Sequence, residues 1–595
     1  MGGALNVLGI SGGLHDAAAA LVVDGRLVAA VEQERLSRVK HDPSFPDRAI
    51  DVCLAIGGLE AGDLDMVALH EKPLDVVDRH LATRRRSGPS SARTLLADTP
   101  RVLADHLLAP RRLERWFQRN GAPLPPVVAA THHTSHAAAA FYPSPFATAA
   151  VLTADGVGEW TTTSIASGSG ADLVLHEELQ FPDSLGLLYT AFTTYCGFRA
   201  NSGEGELMGL APFGEPRHLD LILSELVDVR PDGSFRLDPR YFAYMHGQGM
   251  TTRRFHRTFG GPPRPPGAPP GRREADLAAS VQAATEQLLL GLAARARTRT
   301  GAAALCLGGG VALNCVANSV VRREGPFTDV WVVPAPGDGG SALGAAWWAW
   351  HQVLGEPRAV PDGDGMEGAA LGPEFGDDEI GRWLEADGIP HRTLADHDET
   401  CRVTAGYLAD GRVVGWFQGR MEFGPRALGH RSILADPRSP TVQARLNGLV
   451  KERATFRPFA PAVLAERADA WFDVDLESPY MTFTAQVAAS RRREPDVAED
   501  APLEEVVAVV RSEIPAVTHV DGSARLQTVD EDRNPSFHRL LAAFHSRTGC
   551  PVLLNTSFNA RDEPIVCTPA DALATFRRTG LDVLVLGRHV VEQAP

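Results

Sequence analysis

The chain has 595 residues, 44% of them apolar and 22% charged, which exceeds a single hydrophobic core and predicts two or three soluble globular domains. A formal charge of −16 argues against a dedicated nucleic-acid binder, so an anionic substrate must be met by local clusters of Arg and Lys. Seven scattered cysteines (53, 196, 306, 315, 401, 550 and 567) form no CxxC pair, which predicts buried thiols in a reducing compartment rather than disulfides or a zinc knuckle.

The opening MGGALNVLGISGG lacks a basic leader and a long apolar core, and Asn6 breaks the myristoylation pattern. No stretch reads as the ~20 apolar residues of a membrane span, so the expectation is a cytoplasmic protein without a membrane partner. Strands are predicted at 6–11, 17–23 and 27–34, the last two joined by an Asp24-Gly25 hairpin turn. A similar triplet recurs at 149–154, 161–166 and 173–180. Two copies of a strand–Gly turn–hairpin unit predict an α/β, internally duplicated, actin-like fold, the class shared by acetate and sugar kinases. Its Gly-rich turns, with Gly12, Gly156 and Gly158, would face a cleft and hold phosphates.

Between the triplets, residues 81–120 read as a basic helical insertion and 127–130 as a buried strand leading into an Ala-rich helix. Residues 230–273 end in GGPPRPPGAPPGRR, a surface loop or hinge. A long amphipathic helix covers 274–298. Strands at 303–307 and 330–333 run into GGGVALN and PAPGDGG, each opening a helix. Residues 356–391, rich in Gly, Pro and acid, read as the linker between a first domain (1–355) and a second α/β domain (392–595).

His132 and His136 in HHTSHAAAAF are four residues apart, so one helical turn stacks both imidazoles on one face, as two ligands of a divalent metal require. Such a pair also fits satisfied core histidines, and His133 is assigned to structure. Asp155 in DGVGE and Asp338 in PGDGG follow strands and sit in Gly-rich turns, completing a mixed N/O set for iron, zinc or manganese. His15, outside that helix, is placed to act as a general base on a hydroxyl. In the second domain QGRMEFGPRALGHRSILADPR, then Lys451, Arg453 and Arg457, packs basic residues among Gly, Pro and Phe, as a pocket for phosphate or carboxylate would. Arg525 lies in a polar turn, and Asn555, Thr556 and Ser557 end a buried strand.

These motifs, together with HDAAAAL, HVDGSARLQTV and LNTSFN, closely resemble the O-carbamoyltransferases of the nodulation protein NodU type. That family includes enzymes that carbamoylate tobramycin, cephamycin and polyketide antibiotics. The resemblance implies a Kae1-like first domain and a YrdC-like second domain. It implies that His132, His136, Asp155 and Asp338 hold a metal, iron being the family's, and that His15 activates the acceptor hydroxyl. Gly203, Glu204, Gly309, Gly310 and Asn314 would contact adenosine. Lys451, Arg525 and Ser557, with Arg426, Arg457 and Asn555, would handle carbamoyl phosphate and ATP, the latter with Mg2+. One departure is Glu206 in EGELMGLAPFG, where Lys is expected. The implied chemistry makes carbamoyl adenylate from carbamoyl phosphate and ATP, then carbamoylates a hydroxylated small molecule. The competing readings are an actin-like small-molecule kinase, a non-catalytic ATP-binding sensor or scaffold, and a tRNA-modifying enzyme, the last opposed by the acidic charge.

Overall fold

The structure, a computed structural model, describes residues 4–13, 15–86, 97, 99–100, 102–246, 249–451, 455–475, 477–498 and 501–593, apart from the side chain at 449. The chain divides into two units, Met1–Gln33 with His41–Gly365, and Glu34–Lys40 with Met366–Pro595.

The first unit carries one topology twice. Its first sheet contains β1 (Asn6–Ser11), β2 (Ala18–Val23), β3 (Arg26–Glu32), β4 (Met66–Leu69) and β5 (Val127–Ala129), in the order β3-β2-β1-β4-β5. The second contains β6 (Thr148–Ala154), β7 (Thr161–Ser169) and β8 (Asp172–Gln180). After a separate hairpin, β9 (Val227–Val229) and β10 (Phe235–Leu237), it is completed by β11 (Ala304–Gly308) and β12 (Asp329–Val332). Its order, β12-β11-β6-β7-β8, repeats that of the first. In both sheets an antiparallel three-strand meander is followed by two parallel strands. This is the duplicated actin-like arrangement that the repeated triplet predicts. The Asp24-Gly25 turn, with both φ values positive (47° and 77°), closes the expected tight hairpin.

Two glycines bring the layers close enough to build a site. A Cβ on Gly344, in the helix Asp338–Trp348, would lie 1.8 Å from the Ser135 carbonyl of the helix His132–Phe141. One on Gly9 of β1 would lie 2.0 Å from the Ala342 carbonyl. The helices His132–Phe141 and Asp338–Trp348 and the central strand therefore meet at backbone contact distance, which no larger residue allows.

Several expectations need correction. The strand β5 is not buried: it is the edge of its sheet, and Val127 is exposed. By length and composition the helix Arg272–Thr300 could cross a membrane, contrary to the sequence reading, but its Leu277, Val281, Leu288 and Leu292 are buried in this unit. The Pro-rich run is anchored rather than a hinge, because the buried Arg264 donates from Nε to the Cys196 carbonyl at 2.6 Å. Nor are residues 356–391 a linker. The Arg358 guanidinium donates to the carbonyls of Phe141, Tyr142, Ser144 and Phe146 and lies over the Phe141 ring, tying that stretch to the first unit. From Met366 the chain belongs to the second unit and includes the helix Asp377–Ala386.

The second unit is built on an eight-stranded mixed sheet. Its strands are β13 (Arg392–Thr393), β14 (Val414–Phe417), β15 (Arg431–Ala435), β16 (Ala460–Leu464), β20 (Gln527–Val529), β21 (Val552–Ser557), β22 (Val583–Leu586) and β23 (His589–Glu592). They run in the order β13-β23-β22-β14-β15-β21-β16-β20. A smaller sheet holds β17 (Phe472–Asp473), β18 (Thr484–Val487) and β19 (Ser523–Arg525). The core around Trp416, Phe537, Leu553 and Leu584 explains why these strands read as continuous apolar runs. Glu34–Lys40 belongs to this unit although it follows β3. Arg35 donates to the Gly424 carbonyl (2.9 Å), and Arg38 to those of Pro564 (3.1 Å) and Ile565 (2.6 Å).

Candidate active sites

In the first unit the predicted donors converge. His132 and His136, on a helix whose N-cap Thr131 accepts from the Thr134 N–H, place their Nε2 atoms 3.0 Å apart. Asp155, just beyond β6, brings Oδ2 to 3.0 Å from His132 Nε2 and 3.5 Å from His136 Nε2. Asp338, in the first turn of its helix, brings Oδ1 to 3.6 Å and 3.5 Å from the same two atoms. Donors separated by 3.0 to 3.6 Å have the spacing of atoms sharing one centre at about 2.1 Å, so two imidazoles and two carboxylates fit a divalent metal.

The electrostatics agree. Burial opposes charge on His132, yet Asp155 and Asp338 push it up to about 10, and His136 is also raised. Burial likewise opposes the Asp155 carboxylate, but the two imidazoles hold it well below its ordinary range. The field that loads protons onto the imidazoles is the one that would hold a cation.

Supports surround the donors. The Gly310 N–H donates to Asp155 Oδ1 at 2.9 Å, and Glu159 accepts from the backbone N–H groups of Lys72 (2.8 Å) and His132 (3.0 Å). The ring of His70 bridges the Gly12 backbone and Ser341 Oγ, tying the end of β4 to the first Gly turn and to the Asp338 helix. Glu71 accepts from His106 Nδ1 at 2.5 Å. His70, Glu71, His106 and Glu159 were missed by the sequence reading. Only the dipeptide His70-Glu71 directly after a strand could have flagged two of them. The Nδ1 atoms of His132 and His136 are buried without a partner, so packing rather than an outer acceptor fixes those rings. A Cβ on Gly158 would lie 2.8 Å from that of His132. His133 is structural, its Nδ1 2.6 Å from Thr153 Oγ1 and its pKa well below ordinary because it is buried beside two other imidazoles.

His15 joins the cluster, with Nε2 3.6 Å from Asp338 Oδ2 and Nδ1 3.0 Å from Asp16 Oδ2. Burial lowers its pKa, but Asp338 and Asp16 outweigh burial and raise it to about 9. Without a cation on the carboxylates it therefore carries its proton at neutral pH and cannot accept another.

The glycines predicted to face a nucleotide divide. Gly12, Gly156, Gly158, Gly309 and Gly310 frame the donors: open space lies beside Gly156, and Gly309 (φ +83°) passes so near the Ala154 carbonyl that no side chain fits. The Gly203–Glu204 corner and Asn314 gather elsewhere in the unit. Glu204 accepts from Thr190 Oγ1 (2.9 Å), while Asn314 exchanges hydrogen bonds with Gln282 and caps the helix Cys315–Glu324. Tyr189 donates to Gln282 at 3.0 Å, completing a polar group on the helix Arg272–Thr300. The basic insertion is helical in its described parts, Pro73–Arg86 and Ala109–Arg119.

In the second unit the buried Lys451 ammonium donates to the Ser557 carbonyl (2.5 Å), Ser557 Oγ (3.3 Å), the Asn559 carbonyl (2.9 Å) and Asn559 Oδ1 (2.7 Å). The end of β21 thus brings Lys451 and Ser557 together, with Asn559 as an unforeseen partner. Asn555 donates to Gln527 Oε1 (2.8 Å) and to the Ala427 carbonyl (3.1 Å). It therefore braces the GPRALGHR loop in which Arg426 lies. Arg525 ends β19, and the backbone carbonyl of Arg457 accepts from Asn447 at 3.1 Å. The predicted Arg453 lies outside the described residues. Lys40, which the sequence reading passed over, is held below its ordinary pKa by burial, with Arg457 and Arg35 adding to the effect.

The arginines of the long motif are not all free to meet a ligand. Arg431 is fully buried over the Phe417 ring and donates to the carbonyls of Pro373, Gln418, Gly419 and His430. Arg420 holds the carbonyls of Leu371 and Gly372, and Arg438 pairs with Asp436. These three build the loop rather than bind phosphate. Arg431→Leu is expected to destabilise the protein by about 3 kcal/mol, because four carbonyls lose their donor. A denaturant midpoint unchanged from wild type would refute that role.

The family models decide the assignment. Residues 6–347 match the model described as carbamoyltransferase N-terminus, and residues 405–593 the carbamoyltransferase C-terminus. The chain belongs to the carbamoyltransferase family. It is 49% identical to the protein sll1178 of Synechocystis, over 98% of this chain and 96% of that protein. It is 37% identical to the nodulation protein NolNO of Sinorhizobium fredii (98% and 82%). It is 30% identical to the 3'-hydroxymethylcephem-O-carbamoyltransferase of Amycolatopsis lactamdurans (96% and 96%). The match confirms the resemblance drawn from the motifs. Within the carbamoyltransferase chain, the N-terminal model spans the donor cluster and the C-terminal model spans Lys451 and Ser557.

Proposed function

We propose that the chain is an ATP-dependent O-carbamoyltransferase acting on a hydroxyl of a small-molecule natural product, a sugar or a polyketide. The observation that carries this reading is the set His132, His136, Asp155 and Asp338 with His15 beside it. A phosphotransferase needs no such nitrogen-rich cluster, which disfavours the kinase alternative. In the second unit water cleaves carbamoyl phosphate to carbamate and inorganic phosphate, and a carbamate oxygen then attacks the α-phosphorus of ATP, displacing pyrophosphate and giving carbamoyl adenylate. Lys451 supplies the cation that the phosphate oxygens need, and Ser557 and Asn559 fix where it points. In the first unit the acceptor oxygen bonds to the carbamoyl carbon, the bond from that carbon to the AMP oxygen breaks, and AMP departs. His15 takes the hydroxyl proton on Nε2. A divalent metal, iron by family expectation, would be held by the four donors and would supply Lewis acidity there. The site must exclude water, which would otherwise destroy the carbamoyl donor.

The test is purified protein with ATP, carbamoyl phosphate and a panel of hydroxylated natural products. Release of AMP and pyrophosphate that depends on carbamoyl phosphate is expected. ADP formation that ignores carbamoyl phosphate would instead favour the kinase. His15→Asn should remove transfer to the acceptor and leave pyrophosphate release in place.

A further inference from the structure

Three side chains of the first unit form a chain of contacts that the proposed chemistry does not yet use. His15 Nδ1 lies 3.0 Å from Asp16 Oδ2, and the other oxygen, Asp16 Oδ1, lies 2.8 Å from His41 Nδ1. Asp16 is thus gripped on both oxygens by imidazoles, one of which presents its remaining nitrogen to Asp338 at 3.6 Å. The backbone shows that the arrangement is imposed. Asp16 (φ +53°) and His41 (φ +55°) both occupy the left-handed region, which disfavours a residue with a Cβ. Strain at two facing residues persists only where surrounding contacts hold it. Here the Ala17 N–H donates to the Asp42 carbonyl (3.2 Å), and the Ser44 N–H to Asp42 Oδ1 (2.9 Å), pinning the 41–44 turn against the 15–17 turn.

We infer that Asp16 and His41 are positioning residues for His15. Asp16 accepts from Nδ1–H and so leaves Nε2 as the atom that faces the acceptor hydroxyl, while His41 donates to Asp16 and fixes the rotamer of its carboxylate. The logic is that of a carboxylate holding a catalytic imidazole in one tautomer and one orientation. His41 goes a step further out: it touches Asp16 rather than the reacting atoms, and it acts through that carboxylate. The sequence hides this relation, because His41 follows Asp16 by 25 residues and belongs to no motif. This inference rests on the functional reading above, in which His15 receives the hydroxyl proton.

The experiment measures kcat and KM of carbamoyl transfer on the full chain, with pyrophosphate release from ATP and carbamoyl phosphate as a separate readout of the second unit. Asp16→Asn can turn an N–H toward His15 Nδ1 and favour the wrong tautomer. It should lower kcat of transfer by roughly 10²- to 10⁴-fold with acceptor KM within about twofold. His41→Leu removes the donor and should lower kcat about tenfold. His41→Asn offers an amide N–H at nearly the position of Nδ1 and should recover most of that loss. Pyrophosphate release and thermal midpoint should stay near wild type throughout, which separates positioning from misfolding. Equal losses for His41→Leu and His41→Asn, or a fall in pyrophosphate release parallel to the fall in transfer, would overturn the inference. A wild-type protein that releases no AMP with carbamoyl phosphate would instead overturn the functional reading, before any variant is compared.

Discussion

Asp155→Asn is expected to prevent the proposed metal binding in the first unit and to lower carbamoyl transfer by roughly 10³-fold, while pyrophosphate release persists. The size of the effect follows from the geometry. One carboxylate oxygen accepts the Gly310 N–H at 2.9 Å, and the other stands 3.0 Å from His132 and 3.5 Å from His136. An amide can keep only the first contact. Its NH2 group then faces two imidazole nitrogens and removes both a donor oxygen and a negative charge from the centre. Elemental analysis should give about one equivalent of transition metal for wild type and less than a tenth for the variant. Metal uptake should also release protons, because the carboxylates push His132 up to about 10 and a bound cation must displace that proton. Affinity should therefore fall as pH falls. Full metal occupancy in Asp155→Asn would sink the assignment of this cluster.

Lys451→Ala should do the reverse, abolishing pyrophosphate release that depends on carbamoyl phosphate by roughly 10²- to 10³-fold and leaving metal content untouched. The ammonium is buried, and the four oxygens it meets at Ser557 and Asn559 fix where it points. Truncation also leaves buried acceptors without a donor, at a cost of about 1–3 kcal/mol, so thermal midpoints must accompany the kinetics. Lys451→Arg should not restore activity, because a planar guanidinium cannot occupy a nest shaped for a compact ammonium. Undiminished pyrophosphate release in either variant would move the first half-reaction away from this residue.

How much of this was legible in advance differs from element to element. The alternation of strands and Gly turns located every strand of the two five-stranded sheets of the first unit except β4, and the Asp24-Gly25 pair located a hairpin to the residue. HxxxH, DGVGE and PGDGG pointed to all four members of the His/Asp cluster, because helical spacing and strand-end Gly turns are local patterns. Where chemistry is shared with structure, the reading failed. Arg420, Arg431 and Arg438 looked like phosphate ligands, and the fold instead uses them to satisfy buried carbonyls and one carboxylate. A guanidinium serves both purposes, and its spacing in sequence does not say which.

The chain by itself determined the duplicated topology, the donor set and the family, since each is carried by local spacing and by motifs a few residues long. Tertiary structure alone decided the rest. It placed Glu34–Lys40 with the second unit, folded the supposed linker, brought His70 and Glu159 to the donors, and set His41 against Asp16. These are contacts between segments far apart in sequence, settled by which backbone groups must be satisfied and which layers approach closely. No periodicity records them, because each depends on where another segment comes to rest.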